Sequence, residues 1–326
     1  MPRLPGRRQS RVRPGLLLAA LAILLAGCGG SSGSMTVLYA GSLSNLMEQG
    51  LGPAFQKSSG IAYQGQAAGS VALANAIKDR TKSGDVFISA DPEVNRALMP
   101  DWLSWYVTFA RTSLVVGYSP RGRFASDFEE AKNGGRQWYE VLQQPGLRLG
   151  RTDPNLDPKG YRTLFLLQLA EDYYHLPGLA QRILGVDVSS AQIFPEETLE
   201  TRLESGALDA GFFYLNEAVE KRLPHLALPD EINLSSPDQA QRYAAATYTN
   251  SRGQTFKGAP ILYTAAVLNH APNPGGALAF VEFELSPGAR DVMAQHGLLA
   301  APVLYGGDRA ALPASLQSKV EGEYHG

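Results

Sequence analysis

Apolar and polar positions along this chain alternate between two rhythms, the pattern of an α/β fold with mostly parallel sheets. Short apolar runs predict strands over residues 36–40 (TVLYA), 85–90 (DVFISA), 114–119 (LVVGYS), 147–151 (LRLGR), 209–214 (DAGFFY) and 261–268 (ILYTAAVL). Between them the apolar residues return every three or four positions. In the first such stretch Leu43, Leu46, Met47, Leu51 and Phe55 share one helical face. Further helices are predicted over about 160–174, 196–205, 276–285 and 287–296.

Two of the strands suggest how the chain divides. The run 114–119 can carry it out of one lobe and the run 261–268 can bring it back, which makes the first lobe discontinuous. The expected parts are lobe 1 (35–115 plus 262–310), lobe 2 (116–261) and a C-terminal tail (311–326) polar enough to fray. The aromatic stretch DWLSWY at 101–106 is expected to pack as core beneath the hinge. Lobe interfaces and the carboxyl ends of parallel strands are where α/β proteins hold small ligands, so a cleft between lobes is the expected site.

The beginning of the chain has a different character. Five arginines (Arg3, Arg7, Arg8, Arg11, Arg13) precede the apolar stretch LLLAALAILLA at 16–26, too short to span a bilayer, and then LAGC ending at Cys28. This resembles a lipoprotein signal. Residues 1–27 are expected to be cleaved, Cys28 to carry the lipid, and the Gly/Ser-rich segment 28–34 to act as a flexible tether. The protein would then be exported and held at the cell membrane, facing the periplasm or the extracellular space. Cys28 is the only cysteine, so a disulfide framework and a thiolate metal site are both excluded. Losing residues 1–27 removes five positive charges and takes the formal balance from −2 to −7. An acidic chain of this kind argues against nucleic acid as a partner.

Candidate chemistry sits at two matching corners. The stretch LYAGSLSNLMEQG (38–50) places Ser42 after a glycine at a strand-to-helix turn, and GQAAGSVALANAI (65–77) places Ser70 in the same setting. Serine there can cap the helix while the unpaired amides of its first turn, with the positive end of the helix dipole, form an anion site. A plain N-cap role would explain either serine alone. Two such corners followed by GDVFISAD (84–91) are a more specific combination.

With these corners, the segments VLYAGSL, AAGS, DVFISAD, RTDPNLDPKGYRTL and LESGALDAGFFY, in this order over about 36–300, resemble the molybdate/tungstate-binding proteins of ABC importers. The resemblance implies a two-lobed type II periplasmic-binding-protein fold that closes on an oxyanion and presents it to a membrane permease. It implies no cofactor beyond the ligand, molybdate or tungstate, and a monomer is expected. By motif, Ser42, Ser70 and Tyr214 match the family's hydroxyl ligands. Asp157 and Glu196, with Glu197 next in line, match two carboxylates that can add their oxygens to the metal of the oxyanion. Carboxylate oxygen suits such a hard, high-valent centre.

Each carboxylate also has a plainer explanation, Asp157 as an N-cap before Pro158 and Glu196 as an acidic residue in a first helical turn. Unpaired in the site, the two would repel a dianion unless they bind its metal, hold protons or point elsewhere. Lys159 and Arg162 could balance charge near the site but are expected at a solvated helix start and surface, and oriented dipoles are expected to suffice for binding. Enzyme chemistry finds little support: S-x-x-K and H-E-x-x-H are absent, and the histidines at 175, 225, 270, 296 and 325 are scattered. Sulfate, phosphate, ferric iron or a small organic anion remain alternative ligands at this stage, and a secreted hydrolase or an adhesion protein alternative roles.

Overall fold

A computed structural model describes residues 1–2 and 33–325; Cys28 and the expected signal and tether lie outside the described residues. Strands β1 (Ser34–Ala40), β2 (Ala62–Ala68), β3 (Val86–Ser89) and β4 (Trp105–Arg111) open the chain. The middle carries β5 (Leu114–Tyr118), β6 (Leu149–Gly150), β7 (Ala210–Tyr214), β8 (His225–Leu226) and the hairpin β9 (Thr247–Thr249) with β10 (Thr255–Lys257). The chain ends with β11 (Leu262–Val267), β12 (Leu299–Ala300), β13 (Leu304–Gly307) and β14 (Gly322–Glu323). They form one sheet in the order β14-β13-β4-β11-β3-β1-β2, with β12 on β4, and a second in the order β6-β7-β5-β8.

β3 is buried at every residue and β1 at most, as expected for strands covered by helices on both faces. β2 (AYQGQAA) lies at the sheet edge, where one exposed side removes the need for an apolar rhythm. The apolar face read from Leu43 to Phe55 is real, since all five residues are buried. Its winding is not uniform: a tight 3-10 turn at Gly41–Leu43 gives way to a wide π turn at Leu46–Leu51 and then to the α-helix Gly52–Ser59.

The expectation of mostly parallel sheets needs correction. Parallel pairing joins β1 to β2 and β3, β6 to β7 and β13 to β14; β11 runs antiparallel to both β3 and β4. The reason is topological, because β4 leads out of the first sheet and β11 leads back in beside it. The outward crossing falls at Thr112 and Ser113, so Leu114 and Val115, expected in lobe 1, pair with Tyr214 and Phe213 of β7 instead. Thr112 N donates to Ile261 O (3.3 Å), and Ile261 N to Leu234 O (2.8 Å), so the two crossing strands are tied side by side. The tail is also corrected. It forms the helix Ala314–Gln317 and the edge strand β14, because Leu312, Leu316 and Tyr324 are buried and Tyr324 meets Tyr106 edge-on.

Candidate functional site

The lobes are in contact across the cleft, and the contact runs through both glycine-serine corners. Ala72 N, in the helix Ser70–Lys78, donates to Leu156 O of the opposite lobe at 2.9 Å. A Cβ on Gly69 would meet Leu156 O at 2.5 Å and Asp157 Oδ2 at 3.0 Å, and one on Gly41 would overlap Glu196 Oε2. Glycine is required at both corners because the opposite lobe approaches the backbone itself.

Neither serine caps its helix. Ser42 lies inside the turn Gly41–Leu43, and Ser70 is the first residue of its helix after Gly69, with no side-chain cap at either. Their oxygens serve a different purpose. Ser70 Oγ accepts from Ala90 N (3.1 Å), and Ser42 Oγ accepts from the Tyr263 hydroxyl (3.0 Å). Across the cleft, the Tyr214 hydroxyl accepts from Arg162 Nη1 (2.9 Å). The Ala90 amide and the Arg162 guanidinium only donate, so they occupy lone pairs of Ser70 and Tyr214 and leave those hydroxyl hydrogens uncommitted, whereas the partner of Ser42 is another hydroxyl that also lies 3.4 Å from Asn216 Oδ1. All three side chains are buried.

The carboxylates show the complementary arrangement. Asp157 caps the helix Pro158–Tyr174: its Oδ1 accepts from Lys159 N (2.7 Å) and from the Thr152 hydroxyl (3.1 Å), which leaves Oδ2 towards Gly69. Glu196, first residue of the helix Glu196–Glu204, gives Oε1 to Lys159 Nζ (2.9 Å), while its buried Oε2 has no partner and faces Gly41. Glu197 is exposed. Each carboxylate thus has one oxygen anchored and one free beside a glycine corner. A cavity of about 130 Å³ reaches Gly41 and Ser42 and is walled by Glu196, Glu200 and Glu220.

Electrostatics follow from burial. Desolvation raises Asp157, against the pull of Lys159 and its backbone donors. Desolvation and the neighbouring Asp157 push Glu196 well above the carboxylate range, against Lys159. Glu217 is pushed up to about 7, again first by burial. Burial works against the charged form of Lys159, but Glu196, Glu217 and Asp157 outweigh it and keep the ammonium protonated. Carboxyls that ionise reluctantly repel an incoming dianion less, which eases the conflict that two acidic groups in an anion site would create.

Lys159 and Arg162, expected in solvent, are instead buried at the centre of the site. Lys159 Nζ also contacts Glu217 Oε1, and Glu217 Oε2 accepts from Tyr214 N (2.7 Å). Arg162 bonds across the cleft to Ala90 O and to Asp91 Oδ2 (3.0 Å), and the Tyr161 hydroxyl donates to the same Asp91 oxygen (2.7 Å). Asn216 Nδ2 donates to Ser42 O (2.8 Å). Sequence reasoning missed Asp91, Asn216, Glu217 and Tyr263 as parts of the site. One signal was available: Lys159 and Arg162 begin a helix whose first turn carries no acidic residue, where the helix dipole disfavours positive charge, so each needs a local partner.

The bacterial extracellular solute-binding protein family matches residues 35–299. A Haloferax volcanii protein, provisionally named an ABC transporter molybdenum-binding protein, is 39% identical over 243 residues, 74% of this chain and 75% of its own. The molybdate/tungstate-binding protein WtpA of Thermococcus kodakarensis is 32% identical over 349 aligned positions, covering 94% of this chain and 96% of its own. Among solved structures, the periplasmic molybdate-binding protein of Azotobacter vinelandii shares the fold, with a TM-score of 0.58 at 19% identity over 82% of this chain and 99% of that one.

Proposed function

This chain belongs to the bacterial extracellular solute-binding protein family, and we propose that it captures molybdate or tungstate between its lobes and delivers it to an ABC permease. The observation that carries this reading is the set of uncommitted groups. Ser70 and Tyr214 have partners on their lone pairs and free hydrogens, and Ser42 presents its hydroxyl at the matching corner, so the three suit the oxygens of an oxyanion. Asp157 Oδ2 and Glu196 Oε2 are free beside them and suit the metal at its centre. The names of the relatives point to the same ligand class.

Donors held in place by the fold lose little freedom when the ligand arrives, so most of their interaction energy appears as affinity. Nanomolar binding corresponds to about −12 kcal/mol, and several charge-assisted hydrogen bonds of roughly 1.5–3 kcal/mol each reach that after association costs. In this reading the protein is a monomeric carrier with no resident cofactor and no catalytic step, tethered to the membrane through a lipid on Cys28. Isothermal titration of the full chain with molybdate, tungstate, sulfate and phosphate is the test. Submicromolar binding of the first two is expected; four flat traces would overturn the assignment.

A further inference from the structure

We propose that Lys159, acting with Glu217, is a positioning residue that sets the coordination of the captured oxyanion and selects metal oxyanions over sulfate and phosphate. The inference rests on the capture reading above and adds to it the means by which the carboxylates are aimed. Lys159 is fully buried in the first turn of the helix Pro158–Tyr174, where neither solvation nor the helix dipole favours an ammonium. Its burial is compensated by two carboxylates, Glu196 Oε1 at 2.9 Å and Glu217 Oε1. Glu217 in turn holds Tyr214 N at 2.7 Å.

The consequence is a staple across three helix starts. Asp157 caps the helix that carries Lys159, Glu196 opens the helix Glu196–Glu204, and Tyr214 precedes the helix Leu215–Glu220. Each of the three is a candidate ligand. One ammonium and one carboxylate therefore fix the relative position of all the ligands that the second lobe contributes. Lys159 also decides which Glu196 oxygen is engaged, leaving Oε2 buried, unpartnered and facing Gly41. With its ammonium committed to two carboxylates, Lys159 acts through Glu196 and Tyr214 rather than by touching the anion.

Selectivity follows from the chemistry of the central atom. Molybdenum and tungsten can add two carboxylate oxygens to the four they carry and become six-coordinate, whereas sulfur in sulfate and phosphorus in phosphate stay four-coordinate when bound as such. A site whose carboxylates are held with one oxygen free rewards the first pair and repels the second. Without the Lys159 ammonium, Glu196 would lose its anchor, while Asp157 would keep its own from Thr152 and the Lys159 backbone amide.

The test compares the full wild-type chain with Lys159→Met/Glu217→Gln, which removes both charges of the staple together, and with the near-isosteric Glu217→Gln alone. Molybdate is titrated calorimetrically, and the bound metal is examined by X-ray absorption at the molybdenum K-edge. Wild type is expected to show six oxygen neighbours and a weak pre-edge. The double variant is expected to bind molybdate about 10- to 100-fold more weakly, the usual effect of losing a group that orients a metal ligand. Its bound metal should show fewer than six oxygens and a stronger pre-edge, through loss of the Glu196 oxygen, a change that a purely structural role for Lys159 would not produce. Glu217→Gln should shift in the same direction by less. A six-coordinate centre with unchanged affinity in the double variant overturns the inference, as does a four-coordinate centre in wild type, and both leave the capture reading standing. Failure of wild type to bind either metal oxyanion overturns the capture reading itself.

Discussion

On the β1 side of the cleft the candidate ligands are two serine hydroxyls at glycine corners, placed by backbone geometry alone. On the β7 side they are two carboxyls and a phenol, aimed by a buried lysine and a buried arginine. The first face is neutral where it meets the ligand, and Asp91, a buried charge nearby, is spent on Arg162 across the cleft. The second face combines that phenol with acidic groups and the buried cations that hold them. The contrast shows two ways of preparing an anion site: short side chains whose lone pairs are already occupied, which need no compensation, and acidic side chains, which need a cation beside them before burial is tolerable.

The neutral face should carry the larger share of affinity. Ser42→Ala with Ser70→Ala removes two charge-assisted donors, about 3–6 kcal/mol together, and should weaken molybdate binding by roughly 10²- to 10⁴-fold, with a lower melting temperature because Ala90 N and the Tyr263 hydroxyl lose an acceptor. Calorimetric titration and a thermal melt check this, and a loss under about tenfold would reverse the ranking of the two faces. Gly41→Ala tests the meeting of the faces, because the added Cβ overlaps Glu196 Oε2 in the closed arrangement. The expected penalty is about 1–3 kcal/mol on binding. It should be relieved when Glu196→Ala is added, a non-additivity that a double-mutant cycle measures.

A third acidic group shows what burial does without a partner. Glu284 is fully buried, neither carboxylate oxygen has a hydrogen-bond partner, and desolvation holds its pKa well above the ordinary value. For a carboxyl raised in the folded state, the associated stability is fully present below the unfolded-chain pKa of about 4.3 and is lost as pH rises towards the folded-state value. Glu284→Met is therefore expected to stabilise the protein by about 1–3 kcal/mol at pH 7, and the gain should shrink below about pH 4. Denaturant melts at the two pH values are the measurement. The smallest expected change belongs to Tyr263→Phe, which removes the hydroxyl partner of Ser42 and should weaken molybdate binding by about 0.5–1.5 kcal/mol, read by the same titration.

Much of the scaffold was legible in order. The apolar runs at 36–40, 85–90, 114–119, 209–214 and 261–268 became β1, β3, β5, β7 and β11, because buried strands must be apolar. β2 and the tail were not legible in the same way, since an edge strand and a segment with three apolar anchors leave little periodic signal. Ser42, Ser70, Asp157, Glu196 and Tyr214 were found through local motif and resemblance. Tyr263, Asn216 and Glu217 carry no local mark of their role. Their partners are distant in sequence: Tyr263 reaches Ser42 across 221 positions and Asn216 across 174.

By itself the sequence determined the alternation of strands and helices, the two glycine-serine corners, the residue types available to an anion, and a formal net charge of −2. These are properties of short windows or of composition, and burial pattern and turn chemistry write them locally. Only the tertiary structure decided which partner each serine oxygen meets, that each carboxylate keeps one oxygen free, and that Lys159 and Arg162 lie in the interior. Hydrogen-bond direction and the balance of buried charge depend on which groups meet when water is excluded, and that meeting is made by contacts between elements far apart along the chain.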